Sequence, residues 1–261
     1  MEQLLVCYSG TIALESGIRQ GGILSPVFFN IYIGELINSL QKSDFGCHIG
    51  REYVGCIVYA DDVLLLSASV VHLQRMFDVC VECADKLDIV FNATKSTLFK
   101  VGKVSQEELD TGNLYLGKNL LCWCNCLKYL GMHFLSDQCL KVDINPSVRK
   151  FYASANAIYS HTKFLSEFPR LSLFESFSLL FLTYNCAGLT LTNEEVRKLN
   201  VCWNNVNLYC KIFATNQWES VQYVQFYCSR LDFRNIMYKI QLKFCRDACK
   251  IDNKFCYLLV F

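Results

Sequence analysis

Residues 53–66 read YVGCIVYADDVLLL, two apolar runs separated by a short polar interruption at Ala60-Asp61-Asp62. Short runs of this kind, rich in β-branched and aromatic residues and broken by a turn signal, predict a buried β-hairpin. Adjacent residues of a regular strand point to opposite faces, so neighbouring carboxylates can share one site only at a turn. The pattern therefore predicts that Asp61 and Asp62 lie together at the tip of the hairpin.

Two neighbouring carboxylates at a turn indicate a cation site. At about 4 Å they repel each other by roughly 1 kcal/mol in water and about 4 kcal/mol near a protein surface, and a bound cation or a proton relieves that repulsion. Oxygen ligands of this type suit Mg²⁺, which proteins usually hold through one or two carboxylates together with substrate phosphates. Aspartate is also common in exposed turns, so the pair alone leaves a plain hairpin turn as the alternative.

Helices are predicted on both sides of the hairpin. Ser25-Pro26 indicates an N-cap followed by a proline in the first turn, which opens a helix that ends near Gln41. A segment that begins at Ser69 or His72 and ends at Leu87 carries apolar side chains at three-to-four spacing, which indicates an amphipathic helix. Residues 88–100 and 114–134 show strand and turn patterns. The first part of the chain therefore predicts a mixed α+β fold.

The pattern becomes helical after Asn145-Pro146, where an apolar stripe at helical spacing begins. Residues 177–191 are apolar but too short to span a membrane, which favours a buried helix. Thr192-Asn193-Glu194-Glu195 forms a capping box that opens a further helix. Two more helices are predicted over 218–228 and 236–249. The boundary between the α+β part and an all-helical part is expected near residue 145.

Composition argues against three classes of protein, namely a nucleic-acid binder with a global basic field, a disulfide-rich secreted protein and a membrane-spanning protein. The formal net charge is only +1, so any nucleic-acid contact must depend on local basic patches rather than on a global field. The 16 cysteines are spread along 261 residues without a secretory leader, which favours reduced thiols and an intracellular location. Residues 54–71 are almost continuously apolar, but Asp61 and Asp62 in the middle cost a few kcal/mol each in a bilayer, so strands are expected there.

The cysteine spacing does not favour zinc. Cys122-x-Cys124-x-Cys126 places all three thiols on one face of a strand, whereas structural zinc sites use two-to-four-residue gaps and a second pair of ligands. We therefore expect buried or incidental thiols.

The strongest signal is an ordered pair of motifs. Residues 16–26 read SGIRQGGILSP, and they are followed by Phe29-Asn30-Ile31-Tyr32 and then by Tyr59-Ala60-Asp61-Asp62. The pair resembles the reverse transcriptases of non-LTR (LINE-type, jockey-like) retrotransposons, whose palm carries an (R/P)QGxxLSPxLFNxY block followed by YADD. The resemblance implies a partial right-hand polymerase palm over 1–145 and a helical thumb and C-terminal region over 146–261.

The resemblance covers roughly residues 10–135. It continues through Leu73-Gln74, the Phe91-Asn92-x-x-Lys95-Ser96 block and Lys128-Tyr129-Leu130-Gly131. Beyond these blocks it is weaker and extends into the helical region.

The resemblance also implies roles for particular residues. Asp61 would be the principal metal-ligand carboxylate, and Asp62 its weaker neighbour. A loop facing the incoming nucleotide and the template base would be formed by Gly17, Arg19, Gln20, Gly21 and Gly22. Lys95 would lie near the triphosphate, and Tyr129-Leu130-Gly131 would grip the primer end. Taken alone, these segments indicate an ordinary turn, a solvated charge and a buried strand.

The implied activity is that of an RNA-directed DNA polymerase. A primer 3′-hydroxyl attacks the α-phosphate of a deoxynucleoside triphosphate with the help of two Mg²⁺ ions. The expected partners are an RNA template, a DNA primer at nicked target DNA and deoxynucleoside triphosphates, without a membrane. One alternative is a non-catalytic RNA-binding or scaffold protein of the same fold, which could use Arg149, Lys150 and Lys163. Another is a group II intron maturase, against which the lack of a strongly basic tail argues.

The chain departs from the family pattern in one respect. The family needs a further aspartate on a strand well upstream of the Gln-Gly block, and the carboxylates before that block are Glu2 and Glu15. Neither lies in the expected F/Y-x-x-x-D setting, and the fingers and the endonuclease are not recognised. We therefore expect a truncated copy or a gene-model fragment that is inactive as an isolated chain.

Overall fold

The computed structural model describes residues 22–102, 113–184, 186–189, 191–204, 212–213 and 221–251. Within these ranges the chain combines helices with short strands, in agreement with the predicted α+β class. The fold divides into two compact units. The first comprises residues up to 125 together with 136–139, and the second comprises 126–135 and the chain from 140 onward.

The first unit contains two long helices and several short strands. In chain order they are α1 (Ser25–Ser43), β1 (His48–Ile49), β2 (Glu52–Tyr53), β3 (Cys56–Tyr59), β4 (Asp62–Leu65), α2 (Val70–Leu87), β5 (Leu98–Phe99), β6 (Tyr115–Leu116), β7 (Asn119–Leu120) and β8 (Trp123–Cys124). Three antiparallel pairs connect strands that are neighbours in sequence, namely β1 with β2, β3 with β4 and β6 with β7. Strands β5 and β8 pair in parallel.

The two helices begin as their sequence signals predict, with one correction. Pro26 lies in the first turn of α1, where its missing N–H costs no hydrogen bond. Ser25, however, is the first residue of α1 rather than its cap, and Leu24 occupies the cap position without a side-chain hydrogen bond. Helix α2 does have a serine cap, since the Ser69 side chain accepts a hydrogen bond from the backbone N–H of His72.

The core of the first unit lies between α1 and α2. Leu36, Leu40 and Met76 are almost completely buried there, together with the thiol of Cys80. Burial raises the pKa of Cys80 to about 12, with the nearby Cys56 and Cys83 as smaller causes. The Cys80 thiol therefore stays protonated and packs as a small apolar side chain.

The predicted hairpin is confirmed as strands β3 and β4. Tyr59 pairs with Asp62 at its end, so the turn consists of only Ala60 and Asp61. Ala60 has a φ of 51°, in the left-handed region that a residue with a Cβ atom adopts at a cost of roughly 1–2 kcal/mol. The turn is thus held in a conformation that its own sequence does not favour.

The second unit contains a small sheet followed by helices. Its elements are β9 (Cys126–Tyr129), β10 (Met132–Leu135), β11 (Lys141–Val142), α3 (Asn145–His161), α4 (Glu167–Leu173), a π-helical turn (Phe174–Ser178), α5 (Leu179–Thr183), α6 (Asn193–Asn204), α7 (Val221–Tyr227) and α8 (Phe233–Ala248). The sheet is antiparallel, with β10 between β9 and β11. No helix in the described ranges is both long and apolar enough to cross a bilayer.

The core of the second unit is aromatic. Phe151 of α3, Phe174 of the π-helical turn, Trp203 of α6 and Phe233 of α8 are completely buried. The predicted capping box also forms at the start of α6. The Thr192 N–H donates to the Glu195 carboxylate at 2.7 Å, and the Glu195 N–H donates to the Thr192 hydroxyl at 3.3 Å.

The apolar segment 177–191 is helical only in its first part, because α5 ends at Thr183. The expectation that the segment is buried is also wrong in part. Leu182 is buried, whereas Phe177 and Leu180 are 59% and 60% exposed. The π-helical turn adds a residue to one turn of this helix and changes which side chains face the core. Ser178, at the end of that turn, is completely buried and hydrogen-bonds through its hydroxyl to the hydroxyl of Ser154 at 2.9 Å.

Arg170 of α4 connects the end of α3 to the following helices. Its guanidinium is buried and donates to three backbone carbonyls, those of Thr162 (3.1 Å), Lys163 (3.1 Å) and Leu165 (2.7 Å). It also lies 5.6 Å from the centre of the Tyr159 ring, within the range of a cation–π contact. Arg170 therefore supplies donors to the carbonyls of the segment that directly follows α3.

Replacing Arg170 with methionine should lower the free energy of unfolding by about 3 kcal/mol, because hydrogen bonds to a charged group contribute roughly 1.5–3 kcal/mol and several carbonyls would lose their donor. Chemical denaturation followed by circular dichroism would measure the loss. The exposed Arg197→Met on α6 is the matched control and should change stability by less than about 0.5 kcal/mol. Equal effects of the two substitutions would contradict the role given to Arg170.

Ala60→Gly should stabilise the first unit by about 0.5–1 kcal/mol, because glycine adopts a positive φ without the Cβ penalty that alanine bears. Ala68→Gly is the control, since Ala68 is exposed and does not have a positive φ. There the greater freedom of glycine in the unfolded chain should destabilise by a similar amount. Denaturant titration of both variants should give shifts of opposite sign, and shifts of the same sign would show that the turn is not strained.

Candidate active site

The β3–β4 hairpin separates an inward face from an outward one. Cys56 and Val58 of β3 pack against the core of the first unit, whereas Ile57 and Tyr59 are 46% and 62% exposed. This alternation follows from the two-residue period of a strand. The buried face holds the hairpin in place and leaves its tip in solvent.

The base of the hairpin is also fixed by backbone hydrogen bonds. The Leu66 N–H donates to the Gly55 carbonyl at 2.8 Å, and the Cys47 N–H donates to the Leu66 carbonyl at 3.0 Å. Strand β4 is thus tied both to its partner strand and to the segment that follows α1. The tip is consequently carried by a rigid support.

Asp61 and Asp62 lie at that tip, as the sequence predicts. Asp61 is the second residue of the turn, Asp62 is the first residue of β4, and both are exposed. Within the described ranges neither carboxylate forms an ion pair with a lysine, arginine or histidine. Two adjacent carboxylates without such a partner are suited to binding a cation.

The two carboxylates fit part of a Mg²⁺ coordination shell. Both groups offer hard oxygen ligands, and Mg²⁺ is commonly held by one or two carboxylates while water and substrate phosphates complete its shell. In the part of the chain that the structure describes, no group of three or more His, Cys, Asp or Glu side chains could enclose a metal ion. A metal bound at Asp61 and Asp62 would therefore need ligands from water, from substrate or from outside the described residues.

Most of the predicted nucleotide loop cannot be compared with the structure. Gly17, Arg19, Gln20 and Gly21 lie outside the described residues. Gly22 is described, and its carbonyl accepts a hydrogen bond from the Ser25 N–H at 3.2 Å, immediately before α1. The start of a long helix offers free N–H groups that favour an anion, as the predicted role requires.

Lys95 lies in a turn that Asn92 organises. The Asn92 side-chain oxygen accepts hydrogen bonds from the Thr94 N–H (3.0 Å) and the Lys95 N–H (3.3 Å), and its carbonyl accepts from the Ser96 hydroxyl (2.9 Å). Asparagine commonly forms such turns with its own side chain. The Lys95 side chain is exposed, so its charge is available to a phosphate.

Tyr129, Leu130 and Gly131 lie at a second tight hairpin turn, between β9 and β10. Tyr129 pairs with Met132, which leaves Leu130 and Gly131 as the two turn residues. The structure places this turn in the second unit, whereas Asp61, Asp62 and Lys95 belong to the first. Sequence patterns did not reveal that the Tyr184 hydroxyl donates to the Leu130 carbonyl at 3.0 Å, because 54 residues separate the two.

Comparisons with known proteins agree on one family. The reverse transcriptase (RNA-dependent DNA polymerase) family matches residues 4–134, about half of the chain. The chain is 28% identical over 139 residues to the retrovirus-related Pol polyprotein from type-2 retrotransposable element R2DM of Drosophila melanogaster, and 34% identical over 91 residues to that from type-1 retrotransposable element R2 of Popillia japonica. No solved structure matches the chain.

The matched regions cover only part of this chain and only part of each relative. They cover 50% and 34% of this chain but only 13% of the length of each relative. The family match nevertheless includes both the Gln-Gly block and the hairpin that carries Asp61 and Asp62. The chain belongs to the reverse transcriptase family of RNA-dependent DNA polymerases, and its matched region is a reverse transcriptase domain of the non-LTR retrotransposon type.

Proposed function

We propose that a polypeptide containing this chain synthesises DNA on an RNA template, with Asp61 and Asp62 as its metal-binding carboxylates. One observation carries the proposal. Two adjacent carboxylates project into solvent from a two-residue turn, on a hairpin whose other face is packed into a core. Family membership supplies the reaction, and the hairpin supplies a rigid place for its metal ligands.

The proposed chemistry is nucleotidyl transfer. Bound Mg²⁺, two ions in the intact enzyme, would lower the pKa of the primer 3′-hydroxyl and offset the charge that develops on pyrophosphate. Asp61, within the turn, is the principal ligand, and Asp62, at the first position of β4, is its weaker neighbour. The repulsion between the two carboxylates favours binding of a divalent cation over two free charges. Their fixed backbone limits the reorganisation that binding requires.

The substrate contacts are assigned by position in the family motifs. Gly17, Arg19, Gln20, Gly21 and Gly22 would form the loop that contacts the incoming nucleotide and the template base. Glycine allows the backbone to approach a nucleotide closely, and the loop leads into the N-terminus of α1. Lys95, exposed on its Asn92-ordered turn, would contact the triphosphate. Tyr129, Leu130 and Gly131 would hold the primer end.

The larger assignment is a polymerase palm over 1–145 and a helical thumb and C-terminal region over 146–261. Among the described residues, the change from mixed strands and helices to helices alone at α3 supports it. The two compact units divide the chain differently, because strands β9 to β11 belong to the second unit. Arg149 and Lys150 are exposed on α3, and Lys163 follows that helix, also exposed. Such a local basic face could contact phosphates although the chain as a whole is nearly neutral. The template would be RNA and the primer a nicked end of target DNA.

The second candidate is a non-catalytic RNA-binding or scaffold protein of the same fold. The exposed basic residues on α3 favour it as much as they favour the polymerase, because both need to bind phosphate. The two candidates differ only in whether nucleotides are incorporated in a Mg²⁺-dependent reaction.

Asp61→Asn should weaken binding of a divalent cation at least tenfold, because it removes one of two anionic ligands while keeping the shape of the side chain. Mn²⁺ titration of the full chain, followed by electron paramagnetic resonance, measures this without requiring activity. Asp62→Asn should give a smaller loss, and the exposed Asp85→Asn on α2 should give none. Equal Mn²⁺ affinity in the wild type and in Asp61→Asn would remove the metal site from the proposal.

Primer extension on an RNA template should depend on Mg²⁺ and fall at least a hundredfold in Asp61→Asn, while Asp85→Asn leaves it unchanged. The assay is run with the chain alone and with a polypeptide extended upstream by its genomic sequence. Activity of the chain alone would overturn the expectation that it is inactive in isolation. Tight RNA binding without extension in either form would favour the non-catalytic candidate.

A further inference from the structure

We propose that Tyr184 is a positioning residue that sets the conformation of the Leu130–Gly131 turn, and through it the placement of the primer end. The inference deepens the function proposed above and rests on it, because the primer contact at this turn is part of that proposal. Tyr184 itself lies outside residues 4–134, which match the family. It is assigned by its contact with the turn.

The turn is unfavourable for Leu130, the first of its two residues. Leu130 and Gly131 have φ values of 45° and 79°, the paired positive values typical of a two-residue type I′ hairpin turn. Glycine adopts such values freely, but leucine does so only against the steric cost of its Cβ atom. The turn at Leu130 therefore benefits from an outside contact that stabilises this conformation.

Tyr184 provides that contact in two ways. Its hydroxyl donates to the Leu130 carbonyl at 3.0 Å, at the strained residue itself. Its ring also lies against Gly131, where a Cβ atom would be 3.3 Å from the ring carbon Cε1 and 3.5 Å from the hydroxyl oxygen. The Tyr184 side chain thus hydrogen-bonds to the Leu130 carbonyl and also packs against Gly131.

The position of Tyr184 is set by the helix that precedes it. Its N–H donates to the Leu180 carbonyl at 3.0 Å, so the residue follows directly from the last turn of α5. The side chain is 53% exposed and is not part of the buried core. A tyrosine chosen for core packing would be buried, whereas this one covers a turn at the surface. Its contribution is therefore to local geometry rather than to overall stability.

The surroundings of the turn suit the end of a nucleic-acid strand. Lys128, one residue before Tyr129, is exposed and adds a positive charge to the same hairpin. Alignment of the primer end is sensitive to small shifts, since a displacement of about 1 Å can reduce a reaction rate a hundredfold. Because Tyr184 holds the Leu130–Gly131 turn in one conformation, a primer end bound there would be displaced less.

The first experiment compares binding of two nucleic acids to the full chain, with fluorescence anisotropy as the readout. One is an RNA template with a recessed DNA primer end, and the other is the same RNA without primer. Tyr184→Phe removes only the hydroxyl. It should reduce the preference for the recessed end about fivefold to tenfold, leave binding of the bare RNA unchanged, and shift the melting temperature by no more than a few degrees.

Tyr223→Phe is the matched control, because Tyr223 is an exposed tyrosine on α7 of the same unit. It should behave as the wild type in every measurement. Amide hydrogen exchange across β9 and β10 supplies a second readout, in which Tyr184→Phe should speed exchange at the turn while exchange in the helical core stays the same.

A double-mutant cycle separates the turn from general damage. Gly131→Ala introduces the Cβ atom that would press on the Tyr184 ring, and it should also weaken the preference for the primer end. If Tyr184 and Gly131 act through one turn, Tyr184→Phe should add little to the effect of Gly131→Ala. Fully multiplicative effects would show two independent contributions and would contradict the proposal.

The outcomes distinguish the two levels of inference. A wild type that prefers the recessed end and a Tyr184→Phe variant with the same preference would overturn the role of Tyr184 alone. A wild type without any preference would overturn the assignment of the Leu130–Gly131 turn to the primer end, and the role of Tyr184 would fall with it. Loss of the preference in Tyr184→Phe but not in Tyr223→Phe, with unchanged stability, would support both.

Discussion

The candidate site depends on one constraint, a two-residue turn between two strands that share a buried face. Because Tyr59 pairs directly with Asp62, the chain reverses within Ala60 and Asp61. Carboxylates that would face opposite ways along a strand are thereby brought to one exposed tip. Packing of the partly buried Cys56 and Val58 against the core stabilises the hairpin, and with it the left-handed conformation of Ala60. The packing of the hairpin against the core and the position of the two carboxylates therefore both follow from the two-residue period of the strands.

The second unit uses a related arrangement at Leu130 and Gly131. Both turns connect strands over two residues, and both place a non-glycine residue at positive φ. They differ in how the conformation is kept. The β3–β4 hairpin is stabilised by packing against the core and by the backbone hydrogen bonds at its base, and its turn is exposed. The β9–β10 turn has a side chain from a distant helix directly on it. In the roles that we propose for them, the open tip would admit ions and triphosphate, and the covered turn would hold the end of a strand.

Local signals were enough to predict the elements that carry the site. The polar interruption in residues 53–66 predicts the hairpin, and Thr192 with Glu195 predicts the start of a helix, because in each case all interacting groups lie within a few residues. The serine cap of α1 was assigned wrongly for a related reason. Ser25 and Pro26 are both common at helix starts, and their order alone does not decide which residue is the first in the helix.

The features that sequence patterns missed depend on residues far apart in the chain. The short apolar run at residues 177–191 predicted a buried helix, but the helix ends at Thr183, and Phe177, which lies in the π-helical turn, is exposed. Arginine is usually a surface residue, yet Arg170 is buried, where it donates hydrogen bonds to carbonyls of the segment after α3. Tyr184 likewise carries no recognisable sequence signal. Its contact with the β9–β10 turn arises only because α5 ends beside that turn in the fold. Motifs therefore locate the groups to which we assign the proposed chemistry, whereas the residues proposed to position those groups follow from contacts that the fold creates.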